Sequence, residues 1–172
     1  MNSVKRMLPA RENLRRVHGA SASETDVAGV DMMLHLINAV DIIRATIYEA
    51  LARETGLSEG KFSLLMVLRD AGVPLNVGVL SERVGVAPAT ISVMIGRMLR
   101  APDPLVVRTN SSRDARASLI ALSDAGRRLL DRSLPEHFAR VAAFSKGLSG
   151  AEREQLIGLL KKLAAGAADP LR

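Results

Sequence analysis

The chain contains no cysteine and no tryptophan, and its 172 residues include only one tyrosine and three phenylalanines. Without cysteine there can be no disulfide bond, thiolate metal site or thiol redox centre. The scarcity of aromatic rings argues against single-stranded nucleic acid or RNA as a target, because proteins that bind these usually stack bases on several aromatic side chains. Any nucleic-acid partner is therefore expected to be duplex DNA.

Long hydrophobic runs are missing as well. The longest stretch without a charged residue lies between Arg83 and Arg97 and contains Pro88, so it is too short and too broken to span a membrane. No apolar run follows the basic residues near the N-terminus, so no signal peptide is evident and a cytoplasmic protein is expected. The hydrophobic content of 48% is nevertheless enough for a packed core, in one compact domain or two small modules.

Positive charge is concentrated in two parts of the chain, whose net charge is +6. Residues 97–132 carry eight arginines against four aspartates, and residues 1–20 carry five basic side chains against one glutamate. Arginine presents a planar fork of donors that suits phosphates and guanine edges. The block over 97–132 therefore favours an anionic partner, although basic blocks are also often no more than solvated faces.

The N-terminal third is predicted to be a basic tail followed by helices. Residues 1–26 are expected to be a flexible arm, with at most one helical turn after Pro9. A capping box at Ser23 then begins a long amphipathic helix that ends near Gly56, and Ser58 begins a second helix.

Two further helices are predicted around a tight turn. Asn76 can cap a short helix that ends at Val84, and Gly85 suits its C-terminal turn. A helix over 88–100 follows, with proline in its first turn. Apolar residues at spacings of three and four give this helix a core face, namely Ile91, Met94, Ile95, Met98 and Leu99.

Short β-type segments follow. Residues 105–109 and 116–122 flank a polar turn and predict a β-hairpin with an exposed tip. Ser123 can cap a fifth helix, which Pro135 is expected to interrupt or kink, and a capping box at Ser149 begins the last helix.

This order predicts a mainly α fold with a small β-hairpin wing, that is, a winged helix-turn-helix with additional helices at both ends of the chain. In such a fold the helix over 88–100 lies in a major groove, with its small polar first turn against the base edges. The hairpin tip then brings an arginine to a neighbouring minor groove. The residues predicted to contact DNA are Pro88, Ala89, Thr90, Ser92 and Arg97 in the helix, and Ser112 with Arg113 or Arg116 in the hairpin.

Three passages carry a family resemblance. LSERVGVAPATIS at 80–92 is similar to a two-helix DNA reader, RDARASLIALSDAGRRLL at 113–130 to a wing signature, and LSGAEREQLIGLLKKL at 148–163 to a closing dimerisation helix. Together they resemble the MarR family of dimeric bacterial winged-helix regulators, over residues 30–165. The resemblance implies that Arg116 enters the minor groove and that Asp114 orients it.

The chain departs from the family pattern at three places. Val93 stands where many members carry arginine, so the recognition helix has fewer base-reading cations than usual. Ser81 stands where alanine is usual, and Asp103-Pro104 replaces the glycine that is common before the first wing strand. The change at Asp103-Pro104 predicts a differently shaped entry to the wing, and the departures at Val93 and Asp103-Pro104 leave the exact operator sequence open.

The expected organisation is the tail over 1–26 and a MarR-like unit over 27–172, with the winged-helix module at 58–132. The helices over 27–56 and 135–166 carry apolar stripes that have no obvious partner in so small a module. Packed against each other in a symmetric dimer, they would place the two winged-helix modules one helical turn of DNA apart, about 34–36 Å. Intramolecular packing of the stripes is the alternative.

A ligand site is also implied by the resemblance. In the family, small amphipathic molecules, often aromatic acids, bind between the dimer helices and the reader. The matching candidates are His35, Arg44, Tyr48, Phe62 and Met66, with Arg44 as the partner of a carboxylate; core packing or surface solvation is the alternative for each. Asp31 and His35 have a spacing that suits a metal, but a solvated pair is expected, so neither a metal nor a cofactor is predicted.

The function predicted from these features is a ligand-responsive homodimeric repressor that binds a pseudo-palindromic site in double-stranded DNA. The alternative is a winged-helix protein-interaction module that does not bind an operator. Catalysis is not expected, since no phosphate-binding loop, nucleophile elbow or carboxylate pair can be identified.

Overall fold

A computed structural model describes residues 7–18, 23–110 and 118–167 of the chain. The chain divides into two compact units between Leu134 and Pro135. Helices predominate, and a two-stranded antiparallel hairpin lies between the sixth and seventh of them. The predicted fold class, mainly α with a β-hairpin wing, is confirmed.

The predicted N-terminal tail contains a helix, α1, at Arg11–His18. Helix α1 contacts α2 (Glu24–Ile43), and the side chain of Leu14 on α1 is buried. The Nε atom of Arg11 lies 3.1 Å from a carboxylate oxygen of Asp31 on α2. The prediction of at most one helical turn is therefore wrong, because a buried leucine and an ion pair hold a helix of about two turns in place.

The long helix that follows runs in three segments. Helix α2 begins at the predicted capping box, in which the amide of Asp26 donates to Ser23 Oγ and the amide of Ser23 donates to the Asp26 carboxylate. Arg44–Tyr48 then form a π-helical turn, and α3 (Glu49–Thr55) continues to Gly56, whose φ of 70° is left-handed. Both ends agree with the prediction, whereas the π-helical turn has no signal in the sequence.

Three helices form the centre of the first unit: α4 at Glu59–Ala71, α5 at Val77–Val84 and α6 at Pro88–Leu99. The side chain of Asn76 accepts a backbone hydrogen bond from the first turn of α5, as predicted. Gly85 ends α5 with a φ of 75°, a conformation that costs glycine little because it has no Cβ. The helix limits inferred from caps and glycines are thus confirmed.

The hairpin consists of β1 (Val106–Asn110) and β2 (Ser118–Leu122), in a register that pairs the first residue of β1 with the last of β2. Leu75, in the loop between α4 and α5, forms an isolated bridge to Ile120 with N–O distances of 2.9 and 2.8 Å. The connection that leads into α5 is therefore fastened to the second strand of the wing.

The apolar core contains side chains from the four helices α3, α4, α5 and α6. It also includes side chains from the hairpin and from the first turns of α7 (Asp124–Phe144). Its members come from every element of this unit from α3 onwards, so the orientation of α6 depends on the packing of all of them. The most deeply buried side chains include Leu51, Leu64, Leu65, Leu80, Ile91, Ile95 and Leu130.

Helix α7 continues through Pro135, so the predicted interruption is wrong, whereas the alternative, a kink at this residue, stays a prediction. Proline removes one backbone donor, but the hydrogen bonds of the preceding and following turns remain. The hydroxyl of Ser133 also donates to the carbonyl oxygen of Leu129 at 2.9 Å.

The second unit continues with a 3-10 turn at Ser145–Gly147 and with α8 at Gly150–Ala167. The predicted capping box is present: the amide of Ser149 donates to the Glu152 carboxylate at 2.7 Å, and the amide of Glu152 donates to Ser149 Oγ at 3.3 Å. The large apolar side chains of α8 are exposed, namely Leu156, Ile157, Leu159, Leu160 and Leu163.

Within residues 7–18, 23–110 and 118–167, no single helix is long and apolar enough to cross a membrane. Helices α5 and α6 meet the length and composition requirement only as a pair, which is bent by 107° at the turn between them. Their apolar side chains include Leu80 and Ile95, which lie in the buried core.

Candidate nucleic-acid interface

Helix α6 has two chemically different faces. Ile91, Ile95 and Met98 are at most 2% exposed and belong to the core. Thr90 and Ser92 are exposed, on the side of the helix that the sequence assigns to DNA. The remaining candidates on this helix are also exposed, namely Pro88, Ala89 and Arg97. All five residues predicted on α6 for DNA contact are thus exposed to solvent, outside the buried core face.

The angle between α5 and α6 presents this face. The bend of 107° between them lies in the range typical of helix-turn-helix pairs. Ser81, which replaces the alanine usual at this position, donates its hydroxyl hydrogen to the carbonyl oxygen of Val86 in the turn, and its own carbonyl accepts from the amide of Gly85. The departure at Ser81 therefore adds a hydrogen bond that holds the turn.

The first turn of α6 has no capping side chain. Ala87 occupies the N-cap position, and Pro88, which has no amide hydrogen, occupies the first turn. The amide groups of Ala89 and Thr90 therefore have no N-cap side chain to which they can donate a hydrogen bond. Amides at a helix N-terminus attract anions, so this end of α6 suits a phosphate group.

Arginines accompany the polar face. Arg97 and Arg100 are exposed in the last turn of α6 and just after it. The guanidinium group of Arg100 lies over Gly96, where a Cβ would be 3.4 Å from Nη2. Arg108 on β1 is also exposed, although it is not among the predicted contacts. Among the described residues, none of these three arginines forms an ion pair, so their charge is available to an external anion.

The predicted contacts at the hairpin tip lie outside the described residues. These are Ser112, Arg113, Asp114 and Arg116. The strands that lead to the tip are both present, and β2 is tied to the loop before α5 through the bridge between Leu75 and Ile120. The wing is thus fixed relative to the helix-turn-helix at its base.

Four of the five candidate ligand residues lie in two elements, the π-helical turn and α4. Phe62 is buried in the core, and Tyr48 and Met66 pack against the same core. Arg44 lies in the same π-helical turn as Tyr48, and its Nε atom is 3.3 Å from a carboxylate oxygen of Glu59. Burial raises the pKa of Tyr48, and the charge of Glu59 adds to this effect while that of Arg44 opposes it.

Glu59 is the residue that sequence reasoning missed in this cluster. Arg44 is predicted to pair with the carboxylate of a ligand. In the structure Arg44 pairs instead with the carboxylate of Glu59, in the first turn of α4. An acidic residue in the first turn of a helix ordinarily stabilises that helix, so its position alone did not indicate a cross-helix partner.

His35, the fifth candidate, has different surroundings. Its side chain is 67% exposed, and its Nε2 atom lies 3.6 Å from Asp31, which is also bonded to Arg11. Within the described part of the chain, no three His, Cys, Asp or Glu side chains are grouped closely enough to hold a metal ion.

No family model matches the chain, but individual proteins do. The HTH-type transcriptional repressor YetL of Bacillus subtilis is 29% identical over 147 residues, which cover 85% of this chain and 86% of that protein. The uncharacterized HTH-type transcriptional regulator YkoM of the same organism is 31% identical over 111 residues, or 64% of this chain and 70% of that protein.

Solved structures show the same fold. Sco3205, a MarR family transcriptional regulator from Streptomyces coelicolor in complex with DNA, has a TM-score of 0.73 at 19% identity; the match covers 85% of this chain and 93% of that one. The PcaV transcriptional regulator from Streptomyces coelicolor, in complex with its natural ligand, has a TM-score of 0.65 at 22% identity; the match covers 86% of this chain and 99% of that one. The resemblance identified from the sequence is thereby confirmed.

Proposed function

Because the chain belongs to the MarR family of winged helix-turn-helix transcriptional regulators, we propose that it is a homodimer that occupies a pseudo-palindromic site in double-stranded DNA and leaves it when a small molecule binds. DNA binding and transcription regulation are the functions of this family. Repression is the proposed outcome, since YetL, which matches most of the chain, is a repressor. A regulator of bacterial DNA works in the cytoplasm, and catalysis has no role in this proposal.

The exposed face of α6 is the single observation that best supports DNA binding. It combines small polar side chains, an uncapped first turn and nearby arginines that have no partner among the described residues. Small side chains let a helix approach base edges closely, and the amides and arginines supply phosphate contacts. In the proposed organisation, residues 58–132 read the DNA; at the hairpin tip Arg116 enters the minor groove and Asp114 orients it.

Exposed apolar side chains support a dimer. Met33, Ile37 and Val40 follow one another at spacings of four and three on α2, so they share one face of that helix, and each is 42–49% exposed. Helix α8 exposes a second set, 39–57% exposed. A symmetric dimer that buries both sets would use the helices over 27–56 and 135–166 as its interface.

Ligand release is proposed to be a population shift. An ion pair between Arg44 and Glu59 joins the long N-terminal helix to α4 of the winged-helix module. Tyr48 on the first element, and Phe62 and Met66 on the second, belong to the same core or pack against it. The long N-terminal helix and α4 are proposed to adopt two relative positions. A small acid that displaces Glu59 from Arg44 would bind to the protein more tightly in one of these arrangements than in the other. Differential affinity of this kind moves the equilibrium away from the conformation that fits successive grooves.

Binding to the chain's own upstream DNA tests the proposal. We expect fluorescence anisotropy to detect a complex with a labelled duplex from that region, and log K to fall linearly with log salt as phosphate counterions are released. Arg97→Ala should weaken the complex, whereas the matched control Arg53→Ala on α3 should not. Equal affinity for the upstream duplex and for a scrambled duplex would contradict operator recognition.

A protein-interaction module is the second candidate, because Val93 is 52% exposed in the middle of the face assigned to DNA. An exposed valine suits an apolar partner surface better than a phosphate. For this candidate, Val93→Ala should abolish partner binding, and the duplex should show no complex at low salt. A complex with the salt dependence described above excludes it as the main function.

A further inference from the structure

The middle of the exposed face of α6 has no charged side chain of its own. The sequence contains no charged residue between Arg83 and Arg97, so α6 carries none before Arg97. Val93, in the middle of this face, is 52% exposed and has no side-chain hydrogen-bond donor. A guanine edge in the major groove presents two acceptors, which a cationic side chain recognises best. A cation that serves this part of the face must therefore come from the last turn of α6 or from beyond it.

Gly96 lies in the interior of α6, where glycine is less favourable than alanine. The three heavy atoms nearest to a Cβ at position 96 all belong to the guanidinium group of Arg100: Nη2 at 3.4 Å, Nη1 at 3.7 Å and Cζ at 3.8 Å. A methyl group fits at these distances, whereas a longer side chain would take the place of the guanidinium group. The short residue at position 96 thus leaves room for Arg100.

The side chain of Arg100 bends back along the helix. The amide of Arg100 donates to the carbonyl oxygen of Gly96 at 3.3 Å, so the two residues are one helical turn apart. At about 100° per residue, Arg100 lies about 180° around the helix axis from Ile91, which is fully buried in the core. The guanidinium group therefore lies over the turn of Gly96, on the side of α6 that is opposite the core.

We infer that Arg100, accommodated by Gly96, reads one guanine in each half of the pseudo-palindromic site. An arginine can donate two hydrogen bonds to O6 and N7 of guanine, which is the commonest specific contact in the major groove. The Arg100 side chain is exposed, and within the described ranges no carboxylate pairs with it, so its donors are open to a base. Base reading by Arg100 rests on the proposed DNA-binding function, and it adds a guanine to the bases read by Thr90 and Ser92.

The place of the guanidinium group favours a base contact over a phosphate contact. A recognition helix lies in the major groove with its outer side toward the base edges, while the phosphates line the walls of the groove. Although Arg100 follows the last turn of α6, its guanidinium group lies one turn back, against the helix surface and opposite the core. From there it meets base edges before it meets the DNA backbone.

Site selection from randomised duplexes, followed by anisotropy titration, tests base reading by Arg100 in the full-length protein. We expect the wild type to select a guanine in each half of its site and to bind about tenfold more weakly when one such guanine is replaced by adenine. Arg100→Ala should bind the two duplexes equally, because the side chain that distinguishes them is gone. The matched control Arg97→Ala should weaken both duplexes alike and keep the difference between them, as a phosphate contact does. Thermal melting confirms that each variant is folded.

The role of Gly96 is tested by a double-mutant cycle on the selected duplex. Gly96→Leu should weaken binding about tenfold in the wild-type background and have little effect in Arg100→Ala. Gly96→Ala should bind like the wild type, because a methyl group fits beside the guanidinium group. Equal weakening by Gly96→Leu in the two backgrounds, or none in either, would show that position 96 does not accommodate Arg100.

Three results would overturn base reading by Arg100 and leave the proposed function intact. These are a selected site without a guanine in each half, a difference between the duplexes that persists in Arg100→Ala, and equal weakening of both duplexes by Arg100→Ala, which would make Arg100 a phosphate contact only. A wild-type protein that selects no sequence would overturn the proposed function together with base reading by Arg100.

Discussion

Gly126, in the first turn of α7, lies directly against the carbonyl group of Leu105, the residue before β1, and a Cβ at position 126 would overlap that carbonyl oxygen. Ser123 completes the junction. Its amide donates to the Leu105 carbonyl at 3.1 Å, and its hydroxyl oxygen accepts from the amide of Gly126 at 2.9 Å. The start of α7 is thereby joined to the base of the wing.

Gly126→Ala should destabilise the protein. The methyl group must push the Leu105 carbonyl away and disturb the neighbouring hydrogen bonds, which we expect to cost about 1–3 kcal/mol in the free energy of unfolding, measured in urea. The matched control is Gly158→Ala in α8, where nothing lies within 4 Å of the added Cβ. Alanine is favoured over glycine in a helix, so that variant should gain about 0.5–1 kcal/mol. A neutral Gly126→Ala would show that the junction is not rigid.

Leu160→Asp should separate the proposed dimer into monomers. Burying an unpaired carboxylate in an apolar interface costs several kcal/mol, which sedimentation velocity at about micromolar concentration detects as a change in molecular mass. Lys162→Asp is the control, because it lies about 200° further around α8. A chain truncated after Gly147 that remained a tight dimer would rule out α8 as the interface.

Thr90 and Ser92 should determine which bases are preferred, whereas Arg97 should set overall affinity. The first turn of α6 can reach the floor of a groove, while an arginine in the last turn is better placed for the DNA backbone. Site selection from randomised duplexes should show a change of about 1–3 kcal/mol at one position for Thr90→Ala or Ser92→Ala. If Arg97→Ala were the only variant to change the selected DNA sequence, α6 would have to lie in the groove in the opposite direction.

Arg116→Ala should weaken operator binding and change sequence preference mainly at A·T-rich flanks, because reading of the minor groove is coarse. Losing one charged contact per subunit should also reduce the slope of log K against log salt by about one per subunit. Titrations at several salt concentrations measure both effects. Wild-type affinity and slope in the variant would exclude the hairpin tip as a DNA contact.

Acidification should destabilise the protein through His137. This side chain is buried, and burial, with a smaller effect from Arg140, lowers the pKa of His137 below its ordinary 6.5. The unfolded chain therefore takes up a proton at a higher pH than the folded chain, so stability is complete above about 6.5 and is lost as the pH falls below it. Urea midpoints at about pH 7 and pH 5 should differ less in His137→Gln. The exposed His35 provides the control variant His35→Gln, which should behave like the wild type.

Helix limits were predictable because their causes are local. The caps at Ser23, Asn76 and Ser149 satisfy amides within three residues of themselves, and Gly85 terminates its helix through its own φ. The two faces of α6 follow from the helical period in the same way. Each of these features is determined by residues that are only a few positions apart in the sequence.

Other features depend on residues that are far apart in the chain. Leu14 is buried in a helix that contacts α2, Arg44 bonds to Glu59, and a cavity beside the wing exists only where α4, β2 and α7 meet. The π-helical turn that carries Arg44 likewise has no sequence pattern that would identify it. The sequence by itself determined the order, ends and exposed faces of the helices, because hydrogen bonding and periodicity act over a few residues. Tertiary structure decided which charges pair and where a cavity remains, because these depend on distances between elements that no local pattern encodes.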